Sequence, residues 1–258
     1  MASDGSYTPG EMMAVAASRE LRDREVVFVG IGLPNLACLL ARATHAPGLV
    51  LIYESGAIGA RPDRLPLSIG DPALVTGSLM VCAMADVFQH FLQNGRIEVG
   101  FLGGAQVDRW GNINTTVIGS YGQPKVRLPG SGGAPEIAIH ARRTLVITSL
   151  DRRAFPEQVD FITSPGHRAR DGRRRHSSGI PGAGPVRVIT DKGILAPNAE
   201  TGELELAAIY HGTDVDAVRR SVQWPLIVRS PLQTVSEPSD KELRTLREVV
   251  DPGRVFLK

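Results

Sequence analysis

Cysteine is scarce in this chain: two among 258 residues, Cys38 and Cys82, with no CxxC pair. Both sit in apolar surroundings and read as reduced, buried thiols, which points to a cytoplasmic protein. A nucleophilic cysteine is the alternative for either. No stretch approaches the roughly 20 apolar residues of a membrane helix. The opening "MASDGSYTPGEMM" has neither a basic n-region nor an apolar h-region, so no signal peptide is expected. The formal net charge is only +2, so total charge makes no case for a nucleic-acid partner. The six histidines show no HxxxH or comparable spacing, and no metal site is expected. No internal repeat is visible.

What is present is a regular alternation of elements. "TPGE" places Thr8 as N-cap, Pro9 at the first helical position and Glu11 at the third, a capping box. The helix it opens carries Met12, Val15 and Ala16 on one face and is expected to end near Asp23. "EVVFVG" (25–30) reads as a fully buried strand. "PNLACLLARA" (34–43) reads as a helix with Leu36, Leu39, Leu40 and Ala43 on one stripe, and "LVLIY" (49–53) as the next strand. Strand, helix and strand within about 30 residues make a βαβ unit and a parallel sheet. Further on, "ADVFQHFLQNG" (85–95) is helical, with Gly95 suited to the C′ position. "RIEVGFLGG", "TLVITSL" (144–150), "VRVITDKGIL" (186–195) and "LELAAIY" (204–210) supply strands. "SDKELRTLREVVD" closes the chain as a helix behind a second capping box, Ser239 with Glu242. The expected class is α/β, one domain over residues 1–258, with long functional loops.

Those loops hold much of the 28 glycines and 18 prolines, at "GIGLP", "ESGAIGARPDRLP", "GGAQVDRWGN" and "PGSGGAP". All but the last leave directly from predicted strand ends, where open α/β sheets bind ligands. Among them Glu54 stands out, because a carboxylate at the rim of an apolar strand is costly to desolvate unless something compensates it. Three readings are open. Glu54 lies 24 residues after Gly30 of "GIGLPN", where a dinucleotide-binding unit places its ribose-binding acid. Against this, Asn35 stands where the third glycine belongs and Pro34 removes an N–H from the helix start. Glu54 could instead be a nucleophile, since its Gly and Ser neighbours let a bulky electrophile approach and offer backbone N–H groups to an oxyanion. Or it could cap a helix or pair with an arginine such as Arg61.

The motifs "GIGLP", "ESG", "FLGGAQVDRWGNINTTVIG", "PKVRLPGSGGAPEIA" and "ITDKGIL", in that order, resemble the β subunits of family I CoA-transferases, those of the glutaconate CoA-transferase kind above all. The likeness runs from "TPGEMMAVAASREL" to "REVVDPGRVF", nearly the whole chain. It implies a three-layer α/β/α sandwich on a mainly parallel sheet, and an obligate homologous α subunit in a heterotetramer or hetero-octamer. It also implies coenzyme A as acyl-CoA substrate, with no permanently bound cofactor and neither nucleic acid nor membrane as partner.

By the same resemblance, Glu54 of the E-S/N-G motif is the nucleophile that carries a covalent glutamyl-CoA thioester. Gly133, with Gly132 beside it, lends a backbone N–H to the reacting carbonyl oxygen. Gly30, Gly32, Gly103 and Gly104 are expected to shape the floor under Glu54. Gln106 either orients the carboxylate, binds substrate or is a hydrogen-bonded structural residue. Relatives on this fold that hydrolyse or decarboxylate acyl-CoA compounds lack this glutamate, so its presence favours transfer, hydrolysis or decarboxylation being the alternative. The run "HRARDGRRRH" (167–176) packs five arginines into ten residues. It reads either as a cradle for CoA phosphates through Arg173, Arg174 and Arg175 or, as expected here, as a solvated loop spanning Arg168 to Arg175.

Overall fold

The computed structural model describes residues 7–257; the segment read above for a leader begins outside them. Its centre is a ten-stranded mixed sheet. In chain order the strands are β1 (Val26–Phe28), β2 (Val50–Ile52), β3 (Ala57–Ile58), β4 (Met80–Val81) and β5 (Val99–Leu102). They continue as β6 (Gln106–Val107), β7 (Ile113–Asn114), β8 (Val117–Gly119), β9 (Pro124–Arg127) and β10 (Arg143–Ile147). The last are β11 (Pro185–Ile189), β12 (Gly193–Pro197), β13 (Leu204–Tyr210) and β14 (Val228–Val235). The large sheet runs β14-β13-β12-β11-β10-β5-β1-β2-β3-β4, while β6-β7 and β8-β9 are separate hairpins. Its five central strands, from β11 through β10, β5 and β1 to β2, are all parallel. Antiparallel pairs extend it on both sides.

The central strands are buried on both faces, which is why they read as unbroken apolar runs. Their residues nonetheless alternate between two cores. Val27, Val29, Leu51, Tyr53, Val99, Phe101, Leu145 and Ile147 face one side. Phe28, Ile52, Leu102 and Val146 face the other. On the first face lie α1 (Pro9–Arg19) and α2 (Leu33–Thr44), with the closing α6 (Asp240–Thr245) packed on α2. The second face is covered by α3 (Met84–Asp86), which runs on into a π-helical stretch Val87–Leu92, and by α4 (Ala134–His140) and α5 (Val215–Arg220). The result is the expected α/β/α sandwich. Among the described residues no helix is long and apolar enough to cross a membrane.

Both capping boxes form: Thr8 with Glu11, and Ser239 with Glu242. Glu11 is fully buried, and Arg247 from the C-terminal helix makes a fork to its carboxylate, with Nε at 2.6 Å from Oε1. That pair draws the two ends of the chain together and lowers the Glu11 pKa. Several local expectations shift. α1 stops at Arg19, where the backbone turns toward β1, rather than near Asp23. Ala43 is exposed, because the buried stripe of α2 rotates onto Leu36, Ala37, Leu40 and Ala41. "VRVITDKGIL" is two antiparallel strands, not one. Thr190 Oγ1 donates to Gly193 O and accepts from Gly193 N–H, reversing the chain between β11 and β12.

Candidate active site

Strand register decides where Glu54 points. Phe28 pairs with Ile52 across β1 and β2, and the alternation then turns Tyr53 to the α2 face and Glu54 toward the opposite one. The fully buried Tyr53 donates its hydroxyl to Asn35 Oδ1 at 2.7 Å, tying the end of β2 to the first turn of α2. Glu54 and Ser55 form the corners of a turn closed by Gly56 N–H donating to Tyr53 O at 3.0 Å. Gly56 has φ +106°, and a Cβ there would lie 1.9 Å from Cys82 O. Only glycine fits, so the "ESG" turn presents its glutamate at the tip of the β2–β3 hairpin. Glu54 is half-buried and Ser55 exposed.

Opposite that tip stands Gly133, the N-cap of α4. A Cβ on Gly133 would lie 3.2 Å from Glu54 Oε1 and 2.4 Å from Phe88 Cζ, so this backbone, the Phe88 ring and the carboxylate meet directly. Two further features hold them. Phe88 packs on Phe28 with ring centroids 5.7 Å apart. Gly100 of β5 has no side chain, and a Cβ there would meet Ile137 Cγ2 at 2.4 Å, so α4 settles on bare strand backbone. Among the described residues, neither the Glu54 carboxylate nor the Gly133 N–H has a hydrogen-bond partner. Glu54 makes no ion pair with Arg61 and starts no helix, which closes the capping reading. A partnerless, half-buried carboxylate beside a partnerless amide is a chemically available pair.

The other residues singled out in the sequence are placed as follows. Gly30 and Glu54 each follow the paired Phe28 and Ile52 by two residues, so they leave adjacent strands at the same level. Gly32, φ +94°, is the N-cap of α2, and a Cβ on Gly30 or Gly32 would meet open space. Gly132, φ +48°, is exposed and equally open, and Gly103 is exposed at the end of β5. Gly104 packs elsewhere, with a Cβ site 2.3 Å from Ile113 Cγ2 in the β6–β7 hairpin. Gln106 is buried. Its Oε1 accepts from Asn114 Nδ2 at 2.7 Å and Asp160 N–H at 3.1 Å, and its Nε2 donates to Asp160 Oδ2 at 3.2 Å. Both ends of that amide are engaged away from Glu54. In the same motif, burial pushes the Asp108 carboxyl up, while donors from Asn112, Trp110 and Val159 oppose the shift.

The arginine-rich segment is solvent-exposed from Arg170 to Arg174, as its composition leads one to expect, but Arg175 departs from that reading. Arg175 is 4% exposed. Its Nε donates to Gly182 O at 2.5 Å and its Nη1 to Pro165 O at 3.0 Å, with Ala138 O a further partner. Burial lowers its pKa to about 10, which leaves it a cation at neutral pH. Arg168 lies over the Trp110 ring, and Arg170 and Arg174 donate to backbone carbonyls. Arg170, Arg173 and Arg174 are all exposed, and Arg173 pairs with Asp171. Cys38 is buried as expected, whereas Cys82 is half-exposed, its Sγ 3.6 Å from Gly56 O. Among the described residues no group of three or more His, Cys, Asp or Glu side chains is placed to hold a metal ion.

Phe88, Gly100 and the bond between Tyr53 and Asn35 were not found from the sequence, because each acts through a contact between distant segments. Only the apolar alternation along β2 could have assigned Tyr53 to the α2 face.

Comparison with known proteins identifies the family. A family model for coenzyme A transferases matches residues 10–221. The B component of the 3-oxoadipate CoA-transferase of Pseudomonas knackmussii is 48% identical over 94% of this chain and 93% of its own length. The B component of the glutaconate CoA-transferase of Acidaminococcus fermentans is 34% identical over 100% of this chain and 98% of its own. The crystal structure of that glutaconate enzyme superposes with a TM-score of 0.90, covering 98% of both chains. The decarboxylase AibA/AibB superposes at 0.84 with 26% identity, covering 97% of this chain and 98% of its own. With the family model spanning most of the sequence and full-length relatives above 30% identity, the chain belongs to the coenzyme A transferase family.

Proposed function

We propose that this chain is the β subunit of an acyl-CoA transferase, moving CoA between short carboxylic acids of the glutaconate and 3-oxoadipate kind through a covalent thioester on Glu54. The observation that carries this reading is the Glu54 carboxylate itself, held at a hairpin tip against Gly133 with no partner of its own. A structural carboxylate in a half-buried position would be matched by a donor, as Glu11 is by Arg247. The presence of a glutamate here favours transfer over hydrolysis or decarboxylation.

In the proposed cycle, Glu54 attacks the acyl-CoA carbonyl, giving an acyl-glutamyl anhydride and CoA thiolate. The thiolate attacks the glutamyl carbonyl, forming the glutamyl thioester and releasing the first acid. The acceptor carboxylate then reverses both steps and leaves as the new acyl-CoA. Each attack develops charge on a carbonyl oxygen, and the Gly133 N–H beside Glu54 is the donor assigned to it. Anhydride and thioester both hydrolyse, so water has to be excluded. The homologous α subunit supplies that cover. Next to the "ESG" turn, Leu79 and the two residues of the edge strand β4 that follows it, Met80 and Val81, are exposed at 76%, 46% and 59%. An unpaired apolar edge of this kind is what a partner subunit buries.

The test is Glu54→Gln in the co-expressed complex, which keeps size and removes the anionic nucleophile. Exchange should fall by roughly three orders of magnitude or more in kcat with acyl-CoA binding retained. Mass spectrometry of the unmodified complex, given acyl-CoA without acceptor, should find CoA attached to the Glu54 peptide. Near-normal exchange by Glu54→Gln, with reversion to glutamate ruled out, would refute the assignment.

A further inference from the structure

A cavity lies at the opposite end of the strands from Glu54. α2 starts beside the end of β1 and runs back along the sheet, so its last turn sits near the start of the strands. β3 runs antiparallel to β2, which carries the chain after Ala60 toward that same end. Arg42, in the last turn of α2, donates from Nη1 to Ala60 O at 2.8 Å and stitches the two together. Between α2, the segment after Ala60 and the C-terminal helix opens a cavity of about 700 Å³.

Its lining has two characters. Leu39, Leu65, Val250 and Val255 make an apolar wall, while Arg42 and Arg61 bring two guanidinium groups to one side. Neither cation has a carboxylate partner among the described residues. Arg61 has no side-chain hydrogen bond or ion pair among the described residues, and Arg42 has only the carbonyl of Ala60. Burial lowers the Arg42 pKa and the nearby Arg61 charge lowers it further.

The acids around the cavity are committed elsewhere. Asp251 is buried and accepts the backbone N–H groups of Val255, Phe256 and Leu257. Asp71 forms a fork with Arg64, both contacts at 2.8 Å, and this pairing holds its carboxyl well below the usual range. Asp63 alone remains at the rim, exposed, one carboxylate against two arginines. The volume is that of a small-molecule site, and convergent guanidinium forks over an apolar wall match a planar anion with a hydrocarbon body.

We propose that this cavity is a second ligand site, separate from Glu54, that binds an amphipathic monocarboxylate with its head on Arg42 and Arg61 and its apolar body against Leu39, Leu65 and Val250. Such a ligand supplies the missing charge and fills the apolar wall in one molecule. The site does not depend on the chemistry assigned to Glu54.

The test is calorimetric titration of octanoate into the complex carrying Glu54→Gln, in which no turnover contributes heat. A saturable class of sites should appear, with 1-octanol binding roughly tenfold or more weakly, the loss expected for one charge-assisted contact. Arg61→Gln should weaken octanoate by at least about the same factor. Because Arg61 is exposed, that variant should fold normally, so the proposal remains testable even if Arg42→Gln does not. No saturable octanoate binding, equal binding of octanol, or unchanged affinity in Arg61→Gln would each overturn the proposal. None of these outcomes bears on Glu54, whose own test is the exchange reaction.

Discussion

Gly133→Ala probes the contact on which the site is built. The backbone at Gly133 has φ −83° and ψ 0°, which alanine adopts without strain. The substitution therefore adds one methyl and nothing else. That methyl would lie 2.4 Å from Phe88 Cζ and 2.8 Å from Cε1, whereas carbon atoms rest about 3.5–4.0 Å apart. The ring must retreat by about 1 Å from its place on Phe28. Overpacking of this size costs about 1–3 kcal/mol. Loss of a glycine from the unfolded chain returns about 0.4–1 kcal/mol. A net destabilisation of about 1–2 kcal/mol is expected, a fall of about 2–8 °C in melting temperature for a chain of this size. The same methyl stands 3.2 Å from Glu54 Oε1, so the carboxylate is displaced by a few tenths of an ångström and the adjacent amide is partly covered. Misplacement of 1 Å can cost about a hundredfold in rate, so a shift of a few tenths of an ångström should lower kcat by roughly three- to tenfold with KM changed much less.

Two controls make the prediction sharp. Gly132→Ala, at φ +48° with open space around it, should cost about 1 kcal/mol of backbone strain and leave kcat near normal. Phe88→Leu placed behind Gly133→Ala should recover part of the stability, giving a coupling of about 1 kcal/mol in a double-mutant cycle. Thermal denaturation and single-turnover CoA transfer by the complex measure both quantities. Wild-type stability and rate in Gly133→Ala, or no coupling to Phe88, would refute the argued geometry.

Other outcomes follow from individual contacts. Arg175→Ala strips the donors from buried carbonyls including Gly182 and Pro165 and should cost about 2–4 kcal/mol in chemical denaturation, whereas Arg173→Ala should stay within about 0.5 kcal/mol. Equal effects would contradict the placement of these arginines. Burial would raise the Glu242 carboxyl, but the Arg19 fork and the Ser239 donors outweigh it and hold its pKa at about 2. A pKa depressed in the folded state stabilises above the unfolded value of 4.5 and is lost as pH falls toward 2. The stability difference between wild type and Glu242→Gln, about 1–2 kcal/mol after solvent screening, should therefore vanish across that window; a difference independent of pH would count against the pair. Tyr53→Phe leaves Asn35, whose Nδ2 already lacks a partner, without its hydroxyl donor and should cost about 1–3 kcal/mol, with kcat falling more than KM rises. Unchanged melting would show that this bond does not hold the end of β2.

Much of the local structure could be read from the chain alone, because its causes are local. Thr8 with Glu11 and Ser239 with Glu242 satisfy backbone donors within one helical turn, so both helix starts were legible. The apolar runs of β1, β2, β5, β10 and β13 reported burial on two faces. Gly56 of "ESG" and Gly133 of "GSGGA" stand where backbone has no room for a Cβ, and the order of such motifs carried the family resemblance and Glu54 with it. Tertiary structure decided everything that depends on a neighbour distant in sequence. The halving of "VRVITDKGIL" follows from a side chain closing a turn, which periodicity does not register. Arg175 reads as a solvated charge until the carbonyls of residues 138, 165 and 182 converge on it. Cys82 reads as core until the "ESG" turn fixes it at the half-exposed edge beside Gly56. The contact of Glu54 with Gly133 and Phe88 needs β2, the π-helical stretch and α4 to meet on one face of the sheet, and that meeting rests on the bare backbone of Gly100. Period-two alternation chose the face toward which Glu54 turns; only packing across the sheet decided what it would find there.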